Sequence, residues 1–128
     1  MPFDQEGYLA SPRVEPTVTD DVLRVLIEAR AFIADPRRFW QSNRGRACAR
    51  DAACASLALN RVCRDDRIVD AADDALLRQL GARRRSGEPK AGLHVLYHFN
   101  DTHTHADVLA LYDRAIAARA SELAQQAE

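Results

Sequence analysis

The side chains with the most chemical potential crowd into Phe99-Asn100-Asp101-Thr102-His103-Thr104-His105-Ala106-Asp107, directly ahead of the periodic run Val108 to Ala120. His98, Asp101, His103 and His105 carry the imidazole and carboxylate donors that bind zinc. A zinc ion held with one open position activates water for hydrolysis. His94 and His98 are four apart and share a face in a helix or a strand, while His103 and His105 point to one side of an extended chain. Two features oppose a metal-dependent hydrolase: no recognised zinc spacing such as H-E-x-x-H occurs, and a helix N-terminus is electrostatically poor for a cation. The same residues also spell a helix start. Thr104 can accept the backbone N–H of Asp107 while Asp107 reaches back, a variant of the capping box, with Asn100 and Asp101 as turn formers. Capping outweighs metal binding here, so no cofactor is expected, with Zn as the alternative.

A second chemistry would use Cys54 as a nucleophile in the first turn of its helix, where the dipole can lower a thiol pKa, with a histidine of the later loop as base. Buried, unreactive cysteine is far commoner in an alanine-rich helix. A third candidate is the stretch Arg37, Arg38, Phe39, Trp40, Arg44, Arg46 and Arg50, which mixes guanidinium groups with aromatic rings as macromolecular interfaces do. Arg83, Arg84 and Arg85 could extend it. Its bland reading makes Phe39 and Trp40 core anchors and the arginines a solvated rim. Asp65, Asp66, Asp70, Asp73 and Asp74 form an acidic counterpart that could answer the arginines within the fold or across a homodimer.

Helices must position these groups. The first 16 residues hold Pro2, Pro12, Pro16 and Gly7 with few apolar side chains, and read as a flexible N-terminal arm ahead of a domain over residues 17–128. From Asp20 and Asp21 onward, Val22, Val25, Leu26, Ala29, Phe32 and Ile33 recur at helical spacing up to Asp35-Pro36. Asp35 can cap a short turn with Pro36 first, carrying Phe39 and Trp40 inward. A second helix is expected from about Asp51 to Asp65, and a third over Ile68 to Leu80 with Gly81 as its left-handed terminus. Residues 82–92 read as an exposed loop. Leu93 to Phe99 fits strand alternation and helical spacing alike; with no second strand to pair with, helix is favoured. Thr104 opens the last helix, with Val108, Leu111, Tyr112, Ala115 and Ile116 as its buried stripe.

The resulting expectation is an all-α single compact domain of four to five helices. Its 128 residues suffice for one core that removes roughly two-thirds of the unfolded surface from water. A formal charge of −1 leaves no global field toward nucleic acid or an anionic membrane. Seventeen of the 18 basic residues are arginine, with Lys90 the exception, a bias that points first to a GC-rich bacterial genome rather than to phosphate binding. Cys48, Cys54 and Cys63 form no C-x-x-C pair, and their odd number, without a signal peptide, suits reduced thiols in the cytoplasm. Charged residues interrupt every apolar run, so no membrane span is expected.

Trp40-Gln41, Cys54-Ala55-Ser56-Leu57-Ala58-Leu59, Phe99-Asn100-Asp101 and Thr104 to Ile116 resemble signature segments of an uncharacterised bacterial and phage family, domain of unknown function 6197. The likeness spans roughly Val22 to Ala118 and implies a compact helical domain, with no established activity. This chain has Phe99 where that family usually has Trp, Ala53 where it has Trp before the cysteine, and a shorter loop before the threonine. The leading expectation is therefore a small cytosolic interaction module rather than an enzyme. It binds a protein partner or a second copy, with nucleic acid less favoured, through Arg37, Arg38, Trp40, Arg44 and Arg46.

Overall fold

The computed structural model describes residues 20–41, 52–82 and 93–127. The expected arm over residues 1–16 and most of the loop over 82–92 lie outside them. Five α-helices and one 3-10 turn make up the described chain, with no strand among these residues, only an isolated bridge between Phe39 and Ala53.

Helix α1, Asp21–Ala34, begins where Asp20, in an extended conformation, accepts the Leu23 N–H at 2.8 Å. Leu23, Val25, Leu26, Ala29 and Ile33 are buried along one side. Pro36 ends it, because the residue before a proline is driven out of the helical region and Pro has no N–H to donate. Asp35 is extended and its carboxylate accepts the Arg37 N–H at 2.9 Å, which starts the 3-10 turn Pro36–Arg38. Phe39 beyond it is 1% exposed.

Helix α2, Leu57–Val62, is much shorter than the span 51 to 65 that periodicity suggests. Ala53 donates to the Arg38 carbonyl at 2.7 Å, and its own carbonyl accepts the Trp40 N–H at 3.0 Å. The bridge holds Ala53 out of helical geometry, and the first helical bond beyond it runs from the Ala58 N–H to the Cys54 carbonyl at 3.0 Å, so α2 begins only at Leu57. Helix α3, Asp66–Gln79, is capped by Asp65 and ends at Gly81 with φ +75°. There Ala82 donates to Leu77 and Gly81 to Arg78, the paired bonds of a Schellman motif.

Helix α4, Leu93–Thr102, continues past the predicted Phe99, so Asn100 and Asp101 are helical rather than turn residues. His103 and Thr104 make the bend into α5, His105–Gln126, which at 22 residues is about 33 Å long. Helix α1 packs against α2, α3 and α5, while α4 lies on α3 and α5. The core they enclose is built from Leu26, Ile33, Phe39, Leu59, Leu76, Leu77, Leu96, Leu111 and Tyr112, each under 2% exposed. No helix among the described residues is long and apolar enough to cross a membrane.

Candidate interaction surface and the helix junction behind it

The 3-10 turn projects its two arginines outward. Arg37 has a side chain 90% exposed and folds back on Asp35, with Nη2–Oδ2 at 3.1 Å and Nε–Oδ1 at 3.3 Å. This pairing lowers the Asp35 carboxyl below its ordinary range and raises the Arg37 guanidinium. Arg38 is also exposed, with its guanidinium carbon 5.1 Å from the centre of the Phe32 ring, inside cation–π range. Trp40 is half-buried, and its indole Nε1 is the one fully enclosed side-chain polar atom without a hydrogen-bond partner among the described residues. Arg44 and Arg46 lie outside the described residues.

Two of the histidines that invited a metal reading have other partners. His105 Nε2 lies 2.6 Å from the Ile33 carbonyl, so this nitrogen carries the proton, and the ring stacks on Phe39 with centroids 4.6 Å apart. Through it, the start of α5 satisfies a carbonyl of the last turn of α1. His103 stacks on Phe99 at 3.9 Å, its Nδ1 within 3.1 Å of the Phe99 carbonyl. His98 is exposed, and its backbone carbonyl accepts the Thr102 hydroxyl at 2.7 Å. Asp101 Oδ1 accepts from the Asn100 amide at 3.3 Å. His98, Asp101, His103 and His105 do not converge, and no group of three or more His, Cys, Asp or Glu placed to hold a metal exists among the described residues. At the helix start, Thr104 Oγ1 accepts from Asp107 N at 3.0 Å and Asp107 Oδ2 accepts from Thr104 N at 3.2 Å, a reciprocal capping box.

Cys54 precedes α2 instead of standing in its first turn, and its Sγ accepts the Leu57 N–H at 3.4 Å. Neither Cys54 nor Cys63 is in a disulfide, and Cys48 is outside the described residues.

Composition and motif spacing give no sign of the residue that organises this region, Asn100. Only 1% exposed, it accepts from Ala55 N at 2.8 Å through Oδ1 and donates from Nδ2 to the Trp40 carbonyl at 3.1 Å. Gln41 answers it, donating to the carbonyls of Asn100 at 2.7 Å and His103 at 2.6 Å and so capping the end of α4. The Tyr112 hydroxyl donates to the Ala55 carbonyl at 2.5 Å, and burial pushes this phenol well above its usual range, with Asp73 and Cys54 adding to the shift. Nearby, Ser56 donates to Asp73 at 3.1 Å, both being almost fully buried, at the base of a cavity of about 270 Å³ that Asn60, Asp66, Asp70 and Tyr97 also line.

These contacts define an all-α domain whose helix ends are joined by buried polar side chains. A family model described as a family of unknown function, DUF6197, matches residues 17–118, and the chain belongs to that family. No curated protein and no solved structure matches it. The segments that carry the family resemblance meet in space: Trp40-Gln41, Ala55, Asn100, His105 and Tyr112 all contribute to the junction.

Proposed function

We propose that the chain is a small bacterial, cytoplasmic interaction module that engages a macromolecular partner, in the simplest case a protein, through the surface around the 3-10 turn. The observation that carries this reading is Arg38, whose guanidinium rests over the Phe32 ring while the residue stays exposed. A cation held against a ring has already lost part of its rotamer freedom, so binding an acceptor orders it at lower entropic cost. Arg37 supports it, because an exposed ion pair with Asp35 contributes little and can be exchanged for a partner's carboxylate. Arg44 and Arg46 belong to the same reading by sequence. The arginine bias and the odd cysteine number support the bacterial and cytoplasmic assignments.

The metal-dependent alternative draws no support from the geometry of His98, His103 and His105. The test is affinity capture from host-cell lysate, comparing the wild type with an Arg37→Ala/Arg38→Ala variant of unchanged helical circular dichroism. Loss of the captured proteins in the variant is the expected outcome; an identical captured set overturns the proposal.

A further inference from the structure

The turn that carries Arg37 and Arg38 also holds a carboxylate, and that carboxylate has two duties. Asp35 Oδ1 accepts the Arg37 backbone N–H at 2.9 Å, which caps the 3-10 turn. The same side chain takes the Arg37 guanidinium side-on, through the Nε–Oδ1 and Nη2–Oδ2 contacts. Two parallel N–H···O bonds are how a guanidinium recognises a carboxylate. Here they form within one turn, on an arginine whose side chain stands in water.

Release of that guanidinium leaves the turn intact. The cap comes from the backbone N–H, so Asp35 keeps it when the Arg37 side chain swings to another acceptor. An exposed ion pair contributes little, so the exchange is close to neutral in free energy. Beside it, Arg38 rests over Phe32 and pairs with no carboxylate among the described residues. The hydrogen bonds from Arg37, and with them the charges of Arg37 and Arg38, hold the Asp35 carboxyl below its ordinary range. A second carboxylate placed here meets the same two cations. A nucleic-acid strand would bring its regularly spaced phosphates against Asp35 as well, whereas a peptide can set its carboxylates opposite the arginines alone.

We propose that the partner engages this surface with an acidic peptide segment, and that Asp35 is its built-in competitor. One carboxylate of the segment takes Arg37 from Asp35 while a neighbouring one takes Arg38. This rests on the interaction-module reading above and names the chemistry of the partner.

The experiment titrates the full chain into a fluorescein-labelled peptide of alternating Glu and Ser and reads anisotropy, beside a Gln/Ser peptide and a single-stranded DNA oligomer. The Glu/Ser peptide should bind and the Gln/Ser peptide should not, and Arg37→Ala/Arg38→Ala should weaken binding about tenfold. Asp35→Asn keeps a capping acceptor and frees the guanidinium, so binding should tighten about two- to fivefold, a gain that should vanish in an Arg37→Ala background. Asp35→Ser, another capping residue, replaces it if Asp35→Asn does not fold. Unchanged affinity on freeing Arg37, or tightening that persists without Arg37, overturns the competitor role. No binding of the Glu/Ser peptide, or tighter binding of the DNA, overturns the acidic segment. Capture from lysate that still depends on Arg37 and Arg38 would then leave the module itself standing, so the two readings fail separately.

Discussion

Two sets of ties hold this bundle together, and they are made of different chemistry. At one end, Asn100, Gln41, Tyr112 and His105 connect α1, α4, α5 and the segments around Trp40 and Ala55 by short, mostly neutral hydrogen bonds. At the other, Asp20 binds Arg119, Arg119 reaches Glu122 at 3.5 Å, and Arg78 of α3 reaches the same Glu122 at 3.3 Å. The first set satisfies backbone groups at helix ends and in the segments between them; the second joins side chains that water can reach. Interactions of similar length therefore differ in consequence. Losing a buried acceptor or donor strands its partner, whereas losing an exposed charge returns its partner to solvent.

The largest effect should come from Asn100→Ala, which strands the Ala55 N–H and the Trp40 carbonyl. At roughly 1–3 kcal/mol per unsatisfied buried group, a loss of about 3 kcal/mol is expected from chemical denaturation. A loss below about 1 kcal/mol would mean that water or a shifted backbone replaces both bonds, and the contrast between the two ends would fail. Tyr112→Phe should follow at about 1–2 kcal/mol, since it removes only the donor to the Ala55 carbonyl and keeps the ring in the core.

The same division decides what could be read in advance. Helix α1 with its stop at Pro36, the Gly81 terminus of α3 and the Thr104–Asp107 box depend on residues no more than five positions apart, and the one-dimensional pattern contains all of them. The late start of α2 depends on the Phe39–Ala53 pairing, and the burial of Asn100 on partners 45 and 60 positions away. An asparagine near a predicted helix end reads locally as a turn former, because turn chemistry and long-range capping use the same amide. Likewise, the spacing of His98, His103 and His105 suggests ligands until Phe99, Phe39 and the Ile33 carbonyl are seen to occupy two of the rings. The part of the candidate surface legible from sequence was its composition. The seating of Arg38 over Phe32 required α1 and the 3-10 turn to be placed together.

At the charged end, Asp20→Ala should cost about 1–2 kcal/mol at neutral pH, combining a lost cap with a partly shielded ion pair. This end should also carry the acid sensitivity. The hydrogen bonds from Arg119, followed by those from the Leu23 and Val22 backbone, hold the Asp20 carboxyl below its ordinary value of 3.8 despite some desolvation. A carboxylate with a lowered folded pKa contributes stability that is fully present above its unfolded value and is lost as the pH falls through the folded one. The wild type should therefore lose more stability than Asp20→Ala between pH 5 and the region below 3.8, narrowing the gap between them. Parallel stability curves for the two proteins would place the acid-sensitive group elsewhere.

The smallest effect tests whether a cap shared between two ties counts with the buried or the exposed set. Thr104 sits at the bend between α4 and α5, next to His105, yet it is exposed and its bonds to Asp107 are local. Thr104→Ala removes one side of the capping box and should cost about 1 kcal/mol. If the cap also fixes the entry angle of α5, His105 should lose its 2.6 Å contact with the Ile33 carbonyl, and the loss should approach that of Tyr112→Phe. A double-mutant cycle between Thr104→Ala and His105→Ala separates these cases. Additive losses make the box a local device, and a coupling of more than about 0.5 kcal/mol makes it part of the buried junction.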